Sequence, residues 1–346
     1  MFNEIKKRID AQLRSYVAGI EADYGLKKIS PVLSRHIKEY LLRPGKRVRS
    51  VLFVAGYLGY AARPGPGLYR SALAFELLHN FMLIHDDIID RSVLRRGSPA
   101  MHTALERVLA PYPALKFNGS DLGIVVADVI YAMAIDAFMN IREDPRHKEA
   151  ALRKFTEAAV FTGSGEFVEM LAAARPIGQI TRNDIYTIYD LKTAHYTFCA
   201  PLAVGAILAG APSDQKAHLA DYGINIGRAF QINDDILDMC ASEAQTGKTS
   251  LTDIKESKKT LLIWHAYRNA SPANRRVMQR IFDKRQPTRG DMEKIRDIAG
   301  SSNSVDFCRS RIKRLIRAAA AAHRRLTMKP RFKELLSILP SVILRA

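Results

Sequence analysis

Apolar residues recur along this chain mostly three and four positions apart, the period of an α-helix, and no run of short alternating segments suggests a sheet. The pattern predicts helices near 3–22, 31–41, 47–60, 68–90, 101–109, 120–140, 147–172, 182–209, 213–240, 258–269, 273–284, 290–300, 303–327 and 331–344. Turn signals separate them, among them RPGPG at 63–67, APYP at 110–113, EDP at 143–145, ARPIG at 174–178 and GAPSD at 210–214. Two stretches, ALAFELLHNFMLIH and LGIVVADVIYAMAIDAFM, are apolar nearly all round, which predicts places at the centre of a bundle rather than on its surface. Nothing reads as an interdomain linker or a fixed-period repeat, so the expectation is one all-α domain over residues 1–346.

Composition narrows the function classes only partly. With 346 residues, 47% of them hydrophobic, the chain can build a substantial core. Its formal charge of +18 and pI near 9.9 invite nucleic acid, an anionic membrane surface or polyanionic small substrates, and charge alone does not choose among them. Basic residues are spread widely, with an enrichment at 311–333 that reads as a solvated helix face. Cys199, Cys240 and Cys308 lie far apart with no C-x-x-C pair, which argues against a disulfide framework or structural zinc. The N-terminus is amphipathic without the apolar core of a secretory signal. The most apolar runs are 122–139, which carries Asp128 and Asp136, and 199–211, which is too short to span a bilayer. The expectation is a soluble cytoplasmic protein with no transmembrane segment.

The segment HNFMLIHDDIIDRSVLRRGSPAMH, residues 79–102, gathers charge at the end of an apolar helix. On an ideal helix Asp90 falls about 40° from Asp86 and Asp87 about 100° away, so the three carboxylates are expected on one face. Acids near a helix C-terminus oppose the macrodipole and need another reason to be there. The sequence repeats the arrangement: AFQINDDILD sets Asp234, Asp235 and Asp238 at the same spacing after another apolar helix, with Gln231 on the same face. Two such clusters of hard oxygen donors suit Mg²⁺, which takes a few carboxylates together with substrate phosphate oxygens. Cations accompany them. Lys46 and Arg49 stand with Gly45 and Arg47 in RPGKRVRS, Arg95 and Arg96 follow the first acids, and Lys192 and Thr193 interrupt IYDLKTAHY. Lys248 and Lys258 follow the second acids. Together they describe a pocket for pyrophosphate-like groups.

These motifs, in this order, resemble the trans-isoprenyl diphosphate synthases, or polyprenyl synthetases, over roughly residues 30–265. The resemblance implies a bundle of long antiparallel helices around a central cavity, a homodimer, and condensation of isopentenyl diphosphate with an allylic diphosphate. It implies Mg²⁺, three ions per active site, at Asp86, Asp90 and Asp234, with Asp87, Asp235 and Asp238 completing the two clusters. Arg95, Lys192, Lys248 and Lys258 would contact the allylic diphosphate. Lys46, Arg49, His79 and Arg96 would bind isopentenyl diphosphate, and the Lys192–Thr193 backbone and Gln231 would turn oxygen dipoles toward the developing carbocation. His85 receives no role. Pro44, Ser50, Ala127, Glu166 and Ser257 depart from the family pattern, Ser257 standing where a glycine is usual, but none removes a metal ligand or a phosphate-binding cation.

In this family the residues just upstream of the first acids floor the tunnel for the growing chain. Leu78, Phe81 and Met82 occupy those positions, and a bulky Phe81 resembles short-chain enzymes of the geranylgeranyl (C20) type, with C15 next and C25 behind. On the wheel, however, Phe81 lies about 140° from Asp86, so its tunnel role rests on the resemblance. The rival readings are a class I terpene cyclase, an inactive regulatory partner, and a nucleic-acid-binding protein. Two acid clusters and no compact aromatic-interleaved basic patch argue against the last. The amphipathic tail FKELLSILPSVILR is a candidate for peripheral membrane contact.

Overall fold

The computed structural model describes residues 1–112, 114–240 and 251–344. The chain is helical along almost all of that length. In order run α1 (Phe2–Tyr24), α2 (Leu26–Ile29), α3 (Pro31–Leu41), α4 (Val48–Tyr60), α5 (Leu68–Ile89) and α6 (Met101–Leu109). Then follow α7 (Gly119–Met139), α8 (Pro145–Ala174), α9 (Arg182–Tyr189), a π-wound segment (Asp190–Cys199), α10 (Ala200–Leu208) and α11 (Ser213–Cys240). Beyond the second acid cluster lie α12 (Thr252–Lys255), α13 (Leu261–Asn269), α14 (Pro272–Phe282), α15 (Arg289–Ser301), α16 (Ser304–Arg324) and α17 (Pro330–Ile343). Starts are set by local chemistry. Asn118–Asp121, Thr181–Asp184 and Thr288–Asp291 form reciprocal capping boxes, and Ser30, Thr260 and Ser271 cap through their hydroxyls.

Helix α5 meets the expectation of a central helix. Leu73, Ala74, Phe75, Leu77 and Leu78 are all fully buried, and α1, α4 and α7 pack around it. Helix α7 does not. Ile124, Val125 and Met139 remain 40–58% exposed, so its all-round apolar pattern reflects one face in the core and a second face bare in the single chain. It is also the one helix, among the described residues, long and apolar enough by length and composition to cross a membrane. The apolar core forms two clusters, and long α11 contributes to both.

Three further departures from the sequence reading matter. The expected continuous helix 182–209 is α, then π, then α in winding, because a π turn depends on hydrogen-bond register that apolar spacing does not encode. A two-residue antiparallel ribbon pairs Leu94–Arg95 with Ser98–Pro99 through a turn whose central residues, Arg96 and Gly97, both have positive φ. The tail helix α17 turns Phe332, Leu335, Leu336, Leu339 and Ile343 into the core and leaves only Ile338 as a large exposed apolar residue. Its apolar stripe is spent on packing, which corrects the reading of that tail as a membrane-contacting face.

Candidate active site

The first acids sit in the last turn of α5, with Asp90 as its C-cap. They do not share one face. Asp87 is fully buried and takes the Arg95 Nε–H at 2.7 Å, whereas Asp86 and Asp90 turn toward Lys192 and Lys258. A separation of about 100° around the axis suffices to send Asp87 inward. Asp86 lies 3.1 Å from Arg95 Nη2 and 3.4 Å from Lys192 Nζ, and Asp90 lies 3.1 Å from Lys258 Nζ. Burial alone would raise the pKa of Asp86, but Lys192, Lys258 and Arg95 together hold it below the usual carboxylate value. Asp90 is raised, by burial and then by the charge on Asp86.

The π-wound segment lines the opposite wall. Three glycines let it approach its neighbours closely. A methyl group on Gly165 of α8 would collide with the Lys192 backbone, and methyls on Gly223 and Gly227 of α11 would strike Cys199 and Ala194. Arg228 fixes the segment's start through paired bonds of 2.6 and 2.5 Å to Asp190. So held, Lys192 Nζ reaches Glu169 at 2.6 Å, Glu166 at 2.7 Å and Asp86 at 3.4 Å. The Thr193 hydroxyl donates to Gln231 Oε1 at 2.6 Å, and Gln231 Nε2 donates to Asp235 at 3.0 Å.

The second acids divide as the first do. Asp235 is buried and takes the Tyr189 hydroxyl proton, and burial lifts its pKa to about 7 against those two hydrogen bonds. Asp238 accepts from the Thr252 hydroxyl at 2.6 Å and the Asp253 amide at 3.1 Å, tying α12 to the end of α11. Asp234 is the exposed member. One cavity is bounded by Glu169, Lys192, Thr193, Asp235, Asp253 and Lys258, so the two acid motifs meet across shared lysines. Lys258 bridges them: it pairs with Asp90 and Glu256, and it feels the charge of Asp253, which in turn feels Asp235 and Asp238. Among the described residues no three acidic, His or Cys side chains already form a metal cage. Outward carboxylates without an all-protein cage fit an ion that completes its shell with phosphate oxygens and water, as Mg²⁺ does.

A second basic constellation lies one helical turn along the same segment. The Arg49 guanidinium stacks 4.2 Å above the Tyr196 ring and donates to Thr197 at 2.8 Å. His79 Nδ1 meets the Tyr196 hydroxyl at 2.5 Å. The Arg49 Nε is buried without a hydrogen-bond partner among the described residues. Arg96 closes on the same place: its guanidinium lies near Gly45, and its pKa is lowered by burial and by Arg47 and Arg49. Burial and the surrounding guanidiniums push His79 well below its usual value, so it is neutral at pH 7. Arg47, by contrast, is consumed by structure, held by Asp10, Glu76 and the Arg43 carbonyl at 2.9–3.0 Å. Both Arg47 and Arg96 adopt positive φ, 55° and 56°, conformations disfavoured for L-residues. Ser257 does too, at 58°, which explains the glycine usual there.

Lys46 is exposed at the head of this turn, and Lys248 lies outside the described residues. Leu78 is fully buried; Met82 is half-buried, and so is Phe81, which packs against Tyr131 at 5.0 Å and His85 at 4.7 Å. Sequence reasoning gave no roles to Tyr189, Tyr196, Thr197, Glu169, Asp253 and Glu256. Glu166 and Glu169 could have been paired by their three-residue spacing; nothing in spacing alone marks Tyr196.

Comparison with known proteins agrees with this geometry. The polyprenyl synthetase family model matches residues 30–299. The chain belongs to the polyprenyl synthetase family. It is accordingly a prenyltransferase of all-α fold. Among curated relatives, the geranylfarnesyl diphosphate synthase of Aeropyrum pernix is 31% identical over 85% of this chain and 88% of its own length. The geranylgeranyl diphosphate synthase of Sulfolobus acidocaldarius is 28% identical over 88% and 85%. Among solved structures, the geranylgeranyl pyrophosphate synthetase of Pyrococcus horikoshii superposes with a TM-score of 0.81 at 27% identity, covering 100% of this chain and 97% of that one. A geranylgeranyl pyrophosphate synthase of Corynebacterium glutamicum, solved with isoprenyl diphosphate and magnesium, reaches 0.88 at 23% identity and full coverage of both, which speaks to the fold.

Proposed function

We propose that this polyprenyl synthetase condenses isopentenyl diphosphate with dimethylallyl, geranyl or farnesyl diphosphate and stops at geranylgeranyl diphosphate (C20). The observation that carries this reading is the adjacency of two anion-binding groups on one segment. Lys192 and Thr193 face the acid-lined cavity, and Tyr196 and Thr197 hold Arg49 one turn on. Joining two diphosphate esters requires two such sites side by side.

In this scheme Asp86, Asp90 and Asp234 would hold Mg²⁺, while Asp87 and Asp235 stay engaged with Arg95 and Tyr189, and Asp238 braces α12. Mg²⁺, when bound, neutralises the leaving diphosphate as the allylic carbon–oxygen bond breaks. Arg95, Lys192 and Lys258, with Lys248, bind the same leaving group, where negative charge grows. Arg49, Arg96 and Lys46 hold the second diphosphate, and neutral His79 orients through Tyr196. The oxygens of Thr193 and Gln231 face the allylic cation. The double bond of isopentenyl diphosphate attacks C1, and the C2 proton passes to the departed diphosphate, so no side-chain base is needed. Phe81, with Leu78 and Met82, floors the chain tunnel beside Tyr131. Relatives named for C20 and C25 products support a chain of about this length.

Bare apolar residues on α7 and α8 support a homodimer: Ile124 and Val125 on one, Val160, Phe167 and Met170 on the other, each at least 40% exposed. The cytoplasm suits three cysteines that are all free thiols. The test is product chromatography after incubation with each allylic primer, isopentenyl diphosphate and Mg²⁺. A C20 product is expected, and Asp86→Ala and Asp234→Ala should abolish turnover; wild-type rates in both would refute the site. A cyclic or hydroxylated hydrocarbon from one allylic diphosphate alone would favour a terpene cyclase.

A further inference from the structure

The net charge is not evenly distributed. Residues 261–346 carry twenty Lys or Arg against six Asp or Glu, so this last quarter holds +14 of the chain's +18. Helix α16 concentrates it. Taking Lys313 as the origin, Arg324, Arg317, Arg314 and Arg325 fall within an arc of about 120°, over a length of roughly 18 Å. All five are exposed, and none has an acidic partner within ion-pair distance among the described residues. The opposite side of the helix, Cys308, Leu315, Ala319 and Ala322, is buried against α11 and its neighbours. Arg311 turns away from the stripe to Tyr186, and the helix's one acid, Asp306, stands 3.7 Å from Arg309. Between the cations the exposed positions are alanine and serine, so the ridge is low and can lie against a flat surface.

We infer that this cationic ridge of α16 docks the enzyme on an anionic phospholipid bilayer. Charge complementarity is the argument: five unpaired cations in a row repel one another and are stabilised by a surface of opposite sign. A bilayer fits better than RNA because the ridge has no exposed aromatic ring to stack a base. Its aromatic residue, Phe307, is half-buried and stacked on His265 at 4.0 Å. Docking would also deliver a product with a long apolar chain to the phase that dissolves it; that clause rests on the proposed reaction, whereas the ridge does not.

The experiment is vesicle co-sedimentation of the full chain without substrates, at low ionic strength. Phosphatidylcholine vesicles are compared with vesicles containing roughly one-third phosphatidylglycerol, at equal lipid. Binding is expected only to the anionic vesicles and should fall as salt rises. The quadruple variant Lys313→Gln, Arg314→Gln, Arg317→Gln, Arg324→Gln should bind several hundredfold more weakly, at about fivefold per cation. A second variant, Lys7→Gln, Lys27→Gln, Lys28→Gln, Arg35→Gln, removes equal charge from exposed N-terminal positions and should bind like wild type. Equal loss in both variants would mean that net charge, not this face, drives binding, and would overturn the inference. So would failure to bind anionic vesicles, or RNA stripping the protein from them at equal phosphate. Turnover of soluble substrates by the quadruple variant reports that it is folded and separates failure of docking from failure of the reaction assignment.

Discussion

Tyr196 offers the sharpest test of how the second substrate is held. Its ring lies under the Arg49 guanidinium at 4.2 Å, and its hydroxyl meets His79, both in a buried setting. Tyr196→Phe keeps the ring and removes the hydroxyl. A buried imidazole nitrogen left without its partner costs about 1–1.5 kcal/mol, or roughly five- to tenfold in kcat/KM for isopentenyl diphosphate. Tyr196→Leu also removes the stacking surface, worth about 2 kcal/mol when desolvated, so the combined loss is about two- to fourhundredfold. Thr197→Val should fall between them, since it breaks one hydrogen bond to a charged group, about 1.5–3 kcal/mol at most. Arg49→Lys keeps the charge but loses the planar contact, and should resemble Tyr196→Leu. The assay is steady-state kinetics with each substrate varied in turn. In the proposed scheme the allylic diphosphate meets Lys192 and Lys258 rather than Arg49, so its KM should move less than threefold by the same rate–energy scale. Parallel rises in both KM values, or a Tyr196→Leu enzyme as efficient as wild type, would refute the assignment of Tyr196 as a positioning residue. Thermal unfolding of each variant separates this from general loss of packing.

Two further outcomes follow from the same structure. Phe81→Ala removes the ring packed against Tyr131 and His85 and should lengthen the product beyond C20; an unchanged chromatogram would refute the tunnel-floor role. Burial lowers the Lys259 ammonium from its usual 10.5 to about 8, with Asp283 opposing the shift only in part. Below pH 8 the folded state therefore carries a disfavoured charge, and stability contributed at this position rises as pH climbs from 8 to 10.5. Relative to Lys259→Met, wild type should gain about 1–3 kcal/mol in chemical denaturation between pH 7.5 and 10.5, less than the full linkage value because solvent reaches part of the site. Parallel profiles would refute it.

Much of this site was legible because its chemistry depends on spacing that a helix preserves. Two acids one turn apart, repeated after a second apolar helix, remain one turn apart in the fold, and the Lys192–Thr193 pair arrives where the motif order suggests. What spacing could not supply is direction. Asp87 and Asp235 are chemically identical to Asp86 and Asp234, yet a rotation of one residue turns them inward to Arg95 and Tyr189. Spacing could not foresee the meeting of His79 with Tyr196, because that contact joins residues 117 apart. The π winding was invisible for the same reason: Gly165, Gly223 and Gly227 make room for it from two other helices. Helix α7 shows the opposite limit, since apolar residues all round a helix do not say whether the second face meets the same chain or another.

The pairing of charges around the cavity also bears on how substrates enter. Lys192 is shared by Asp86, Glu166 and Glu169, Lys258 by Asp90 and Glu256, and Arg95 by Asp86 and Asp87. The cations assigned to the allylic diphosphate are thus occupied by carboxylates, several of which are the proposed metal ligands. A diphosphate arriving alone would compete with those carboxylates for the lysines and then lie against the freed negative charges, a doubly unfavourable exchange in a buried site. Asp86 and Asp90, if they held Mg²⁺, would release Lys192 and Lys258 to the diphosphate, which would relieve both terms together. At the second site burial disfavours the Arg96 charge, Glu76 favours it and the neighbouring Arg47 and Arg49 oppose it, so an arriving anion relieves the repulsion among these guanidiniums. On the proposed assignment, metal dependence is therefore expected to be steep for the allylic diphosphate and shallow for isopentenyl diphosphate, because carboxylates occupy the cations of the first site.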